Sequence, residues 1–269
     1  MNLSWIKYVF SLSLRKVFAY RADFWINFIA TIVGEVGVAY FLWQAVYKIR
    51  AQETLSGYTF PTMVLYFVIV SLIGKVIRGP EISFVSIDIY DGSLSRYLVY
   101  PISFLLYKFV GFLSNSFVAL IQMVACLIFY FCVFGMPTGI VLTPLSIFYA
   151  LLMINAALIY YFVTASVIEM FAFWFDNLWS VIVMFNLITY FAGGGIVPLE
   201  LFPEWFRNGI AYTPFPYLLA VPVKFVMGMG SLQDLVRGIL VLGAWLGLSI
   251  MLIRVVWRRG LKQYTGVGQ

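Results

Sequence analysis

The chain has 269 residues, of which 63% are hydrophobic and only 10% charged, and its mean hydropathy is +0.98. A water-soluble domain carries about 25% charged residues, so this composition excludes a soluble globular protein. The net charge of +6 does not point to nucleic acid, because the basic residues are dispersed at the ends of apolar runs, where the positive-inside bias places them.

Residues 1–21 do not read as a cleaved signal, since Lys7, Arg15 and Lys16 are spread through the stretch. Ser4, Lys7, Ser11 and Arg15 share one helical face, and Ile6, Val9, Phe10 and Val17 share the other. This spacing predicts an amphipathic helix in the membrane interface. A bilayer crossing needs about 20 apolar residues, and six runs are candidates: residues 24–47, 62–77, 102–134, 145–175, 178–191 and 235–257. The second and fifth are short for a span. The third and fourth are long enough to tilt or to project. With the N-terminus inside, all Lys and Arg except Lys48, Arg50, Arg207, Lys224 and Arg237 fall on the inner side. Both termini are therefore expected in the cytoplasm.

Between the second and third runs lies a mixed segment, residues 79–100. It combines Glu81, Asp88, Asp91 and Arg96 with Ile82, Phe84, Ile87, Ile89 and Leu94. Asp91-Gly92-Ser93 is a turn or helix-start signal, and Pro101 opens the third run. A cytoplasmic helix of this kind suits docking of another protein; a helix resting on the bilayer is the alternative. Between the fifth and sixth runs, residues 193–232 are apolar but broken by Gly193, Gly194, Gly195, Pro198, Pro203, Pro214 and Pro216. Each unbroken piece is about half a span, which predicts an outer re-entrant hairpin starting a short helix at Pro203. Non-helical backbone at membrane depth must be covered by protein or line a wet cavity.

The fold class expected is therefore all-α and integral to the membrane. One domain, 1–269, would hold six transmembrane helices, an N-terminal interfacial helix and an outer hairpin between the fifth and sixth. Within the spans, Glu35, Gln122, Asn155 and Asn186 lie near mid-depth and suggest a polar seam. Such groups either mark a translocation path or join helices by hydrogen bonds. Cys126 and Cys132 share the third run on different helix faces and read as packing residues.

Bond-breaking chemistry has no foothold here. Histidine is absent, and with it the commonest metal ligand and general base. No phosphate-binding loop, Cys-x-x-Cys, His-Glu-x-x-His or Gly-x-Ser-x-Gly occurs. Asp88 and Asp91 are too few for a metal site and read as a solvated pair. No metal, cofactor or catalytic residue is expected in the chain itself.

Two stretches, IYDGSLSRYLVYPIS (Ile89–Ser103) and YFAGGGIVPLELFPEWF (Tyr190–Phe206), resemble the six-helix ABC-2-type permeases of bacterial ABC exporters. The resemblance implies an inner-membrane permease that pairs with a second copy or paralogue and binds a separate ABC ATPase, which would hold the ATP and Mg. It further implies that Glu81, Asp88, Asp91, Gly92, Leu94, Arg96 and Tyr97 contact the ATPase. Gly193, Gly194, Gly195, Pro198, Phe202 and Pro203 would belong to the outer lid. An ion-coupled carrier or channel using Glu35, or a non-transporting scaffold for an ATPase, are the competing readings.

Overall fold

The structure, a computed structural model, describes residues 4–19, 21–50, 53–79 and 85–266. Its elements in chain order are α1 (Ser4–Ala19), α2 (Arg21–Arg50), a small hairpin of β1 (Thr54–Leu55) and β2 (Tyr58–Thr59), α3 (Phe60–Arg78), α4 (Ser86–Tyr90), α5 (Leu94–Leu98), α6 (Phe104–Phe134) and α7 (Pro144–Glu169). There follow α8 (Trp179–Ala192), α9 (Glu204–Ile210), α10 (Phe215–Leu218), α11 (Ala220–Val226) and α12 (Leu232–Gln263). A 3₁₀ turn, Met170–Phe173, prolongs α7, and another, Leu199–Leu201, precedes α9.

Three long helices open on reciprocal capping boxes: Thr59 with Thr62, Thr143 with Ser146, and Ser231 with Asp234. Each pair satisfies two amides that would otherwise face the bilayer surface unbonded. Among the described residues, five helices are long and apolar enough to cross a membrane: Phe28–Arg50, Phe60–Arg78, Phe104–Phe134, Pro144–Phe173 and Leu232–Gln263. The fifth of the six expected spans, Trp179–Ala192, is a helix of only 14 residues and falls short of that length. Its C-terminal end is cut by Gly193, Gly194 and Gly195, which leave the helix at once.

Helix α3 is the centre of the bundle, with nearly every side chain from Thr62 to Ile77 buried. Helix α2 lies antiparallel to it, as Lys75 on the Phe28 ring and Trp43 against Phe67 show. Helix α1 lies across α6, with Phe10 and Phe117 ring centroids 5.9 Å apart. Ser4, Lys7 and Arg15 are exposed, and Ile6, Val9 and Phe10 are half-buried. The side chain of Val17 lies outside the described residues.

Helices α7 and α12 run side by side in the same direction. Gly238 packs on Met153, Ser249 Oγ lies 3.0 Å from Thr164 Oγ1, and Gly260 packs on the Phe173 ring. The stagger between partners stays nearly constant along the pair, so the helices are parallel. The chain between Phe173 and Leu232 must therefore return along their whole length, and α8 with the broken segment after it makes that return.

Candidate functional site

At one end of the bundle, α4 and α5 form a platform braced from three sides. Glu169, at the last turn of α7 and fully buried, accepts hydrogen bonds from the amides of Val85 (2.6 Å) and Ser86 (3.1 Å) and so ties down the start of α4. Asp88, nearly buried, forms an ion pair with Lys108 of α6 and accepts a hydrogen bond from Ser93 Oγ at 2.9 Å. The third brace is Tyr264, just past α12. Its hydroxyl donates to the Gly92 carbonyl (2.7 Å) and accepts from the Ser95 amide (3.2 Å). Gly92 is what lets the chain turn between α4 and α5, at φ 75°, a region costly for other residues.

The opposite face of the platform is bare. Ile87, Asp91, Arg96, Leu98 and Val99 are exposed, whereas Ile89 and Leu94 are buried beneath them. Hydrogen bonds from Ser93 hold the Asp91 carboxyl below the usual carboxylate range, so this surface keeps its negative charge. Burial, and then the nearby Asp88, raise the Tyr97 phenol above its usual value, so it stays neutral beside Lys108, whose ammonium sits 5.1 Å from the ring centre.

Further into the bundle, α2, α3 and α8 converge on a polar cluster. The Tyr190 hydroxyl lies close to Ser71 and Glu35. The Arg78 guanidinium lies over the Tyr190 ring at 5.2 Å, and Lys75 is within electrostatic reach of Glu35. One Glu35 carboxyl oxygen is buried with no hydrogen-bond partner among the described residues. A turn away on α8, Asn186 Oδ1 accepts from the Tyr161 hydroxyl at 2.9 Å. Basic, acidic and phenolic groups thus meet at one depth, where each would be costly alone.

At the far end, residues 193–230 fold back onto the helix ends. The Tyr66 hydroxyl donates to the Gly194 carbonyl (2.7 Å), and the Ala220 amide donates to the Gly193 carbonyl (2.9 Å). Phe202 packs between Phe191 and Phe206, Pro198 precedes the 3₁₀ turn, and Pro203 caps α9. Glu200 bridges Lys224 (2.6 Å) and the Tyr58 hydroxyl (3.4 Å). Burial, and then Glu200, raise the Tyr58 phenol above its usual range. Between α9 and α10 three successive carbonyls leave the helix. Ile210 accepts from Thr213 Oγ1 (2.6 Å), Ala211 from the Tyr217 hydroxyl (2.9 Å) and Tyr212 from the Trp245 indole (3.0 Å).

Residues 33–268 match the family described as ABC-2 family transporter protein. The chain belongs to this family. No curated protein and no solved structure is detectably similar to it. Membership in the ABC-2 family makes the molecule a multi-pass membrane protein and points to an ABC transporter permease that works with an ABC ATPase in a lipid bilayer.

Within this ABC-2 chain, the residues singled out from sequence are distributed unevenly. Asp88, Gly92, Leu94 and Tyr97 sit on the braced side of the platform, Asp91 and Arg96 on its bare side, and Glu81 lies outside the described residues. Asp88 is ion-paired and close to buried rather than solvated, because the α6 lysine reaches it from another element. Glu35 and Asn186 share the central region. Gln122 is buried on α6, its amide nitrogen without a hydrogen-bond partner among the described residues. Asn155 stands apart: it is exposed, and its amide donates to its own helix at the Leu151 carbonyl, 2.8 Å away. Sequence reasoning missed Glu169, Ser71, Tyr161, Tyr190 and Tyr264. Of these, only Glu169 carried a signal, as an acid beside a long apolar run with no neighbouring base.

Proposed function

We propose that the chain is the permease subunit of a bacterial ATP-binding-cassette exporter, resident in the inner membrane with both termini cytoplasmic. It crosses six times, and the platform of α4 and α5 receives force from a separate ATPase. The observation that carries this reading is the two-sided platform. One face is anchored to α6, α7 and the end of α12, and the other offers exposed apolar side chains between Asp91 and Arg96. A push on the bare face is thereby delivered to three long helices at once.

Six crossings are supported by the parallel pairing of α7 and α12, which demands a return between them. The 14 residues of α8 span about 21 Å, and the glycine-rich exit completes the distance. A re-entrant hairpin is supported by depth. Tyr217 packs on Gly238 and Tyr66 reaches Gly194, each some six residues inside its helix end, or roughly 9 Å. The exposed apolar faces of α2 (Ile29, Val33, Phe41) and α8 (Met184, Leu187) suit a second permease across a shared path. The cluster of Glu35, Lys75, Arg78 and Tyr190 then lies beside that path.

The test is a paired charge swap on the bare face. Asp91→Lys with Arg96→Glu leaves membrane insertion intact and lowers transport per ATP hydrolysed at least tenfold in vesicles holding both subunits. Transport at the wild-type ratio would refute the coupling role. The unpaired oxygen of Glu35 supports a second reading, an ion-coupled carrier. Uptake driven by a proton gradient with no ATPase present would establish it instead.

A further inference from the structure

A cleft of about 350 Å³ opens between α12 and the connection from α5 to α6. Tyr97, Tyr100, Ser103, Trp257, Arg254 and Arg258 line it. We propose that it binds the headgroup of an anionic phospholipid from the inner leaflet.

Charge is the first argument. Arg254 and Arg258 are four residues apart and so share a face of α12. Both are exposed, neither has an ion-pair partner among the described residues, and no acidic side chain lines the cleft. Two guanidiniums a turn apart can grip one phosphate from two sides. The hydroxyls of Tyr97, Tyr100 and Ser103 add neutral donors for the glycerol and ester oxygens.

Depth is the second. Helix α12 carries no charge from Gly238 to Ile253, about 24 Å of helix. Arg254 is therefore the first charge where the apolar layer ends, at the level of lipid phosphates, and Trp257 marks the same interface. The third argument is the floor. Ile102, Leu105 and Ile253 line the same cleft, which a free phosphate or nucleotide would not need and which an acyl chain would cover. The wall is also already fixed, since Trp257 stacks on Phe104 at 5.7 Å and meets Phe173 edge-on at 6.0 Å. A headgroup seated here would splint α12 to the platform, the same two parts that Tyr264 joins. The inference rests on the inner placement of this end and not on the ATPase.

The test uses the full-length chain in neutral detergent, titrated with phosphatidylglycerol or phosphatidylcholine and followed by native mass spectrometry. Wild-type protein retains one phosphatidylglycerol about tenfold more tightly than phosphatidylcholine. Arg254→Gln with Arg258→Gln abolishes that preference, while Arg259→Gln, one residue outside the cleft lining, keeps it. Equal retention by the double variant overturns the proposal, as does equal binding of the two lipids. Displacement of the lipid by millimolar glycerol phosphate would assign the cleft to a soluble anion. Loss of the lipid on adding the ATPase would assign it to that protein. Failure of the coupling reading leaves this titration unchanged, and failure of the titration leaves the charge-swap result unchanged.

Discussion

Replacing Glu169 by alanine would leave the Val85 and Ser86 amides facing protein with no acceptor. Each such amide costs about 1–3 kcal/mol, so Glu169→Ala should loosen α4 and open residues 85–100 to limited proteolysis, while Glu169→Gln, which keeps an acceptor, should protect them better. Tyr264→Phe is a finer probe. It preserves the ring against Phe173 but removes the hydrogen bonds to Gly92 and Ser95, a loss of about 1 kcal/mol each. Expression and melting temperature should change little, and transport per ATP should fall if α12 is driven through this contact. Asp91 sets a pH window. Its carboxyl titrates lower in the folded protein than the usual value near 4, so its contribution is present above that value and is lost as pH falls through the lower one. Docking of the ATPase should therefore persist to pH 5. Tyr264 and Tyr190 do not stand out in sequence, and Glu169 shows there only as an acid beside an apolar run, because their roles come from partners 80 or more residues away or across the bundle.

Among the elements, the broken segment between α8 and α12 shows how glycines with the same letter do different work. Gly194 sits at φ 84°, and a Cβ there would stand 2.8 Å from the Tyr66 hydroxyl. Gly194→Ala should cost about 1–2 kcal/mol for the backbone alone and more through the displaced Tyr66. Gly209, inside α9, has nothing within 4 Å, so Gly209→Ala should be neutral or stabilising by up to about 1 kcal/mol. Thermal unfolding of the two variants in detergent checks the contrast. The long helices were legible from apolar runs, whereas their capping starts at Thr59, Thr143 and Ser231 were not singled out. The break between α8 and α12 was legible through its prolines and glycines. Its packing against the helix ends was not, because Trp245 and Tyr66 belong to other helices.

For the whole molecule, orientation is the quantity that decides between readings. In a background lacking Cys126 and Cys132, Glu53→Cys and Arg96→Cys place single thiols at exposed positions on opposite ends. A membrane-impermeant maleimide should label position 53 in intact cells and position 96 only after permeabilisation; the reverse pattern would invert the platform and end the coupling account. Composition made the membrane class legible, and the distribution of Lys and Arg supplies the orientation that this labelling tests. The parallel run of α7 beside α12 was hidden, because hydropathy reports how long a helix is and not which neighbour it chooses.

The break between α9 and α10 carries a mechanical implication. Ile210 and Ala211 hand their carbonyls to Thr213 and Tyr217 of the same segment, and only Tyr212 relies on α12. A plug that holds most of its own carbonyls can shift as a solid piece, and what it must release is a short set of tethers: the Trp245 indole on Tyr212, the Tyr66 hydroxyl on Gly194 and the Tyr58 hydroxyl on Glu200.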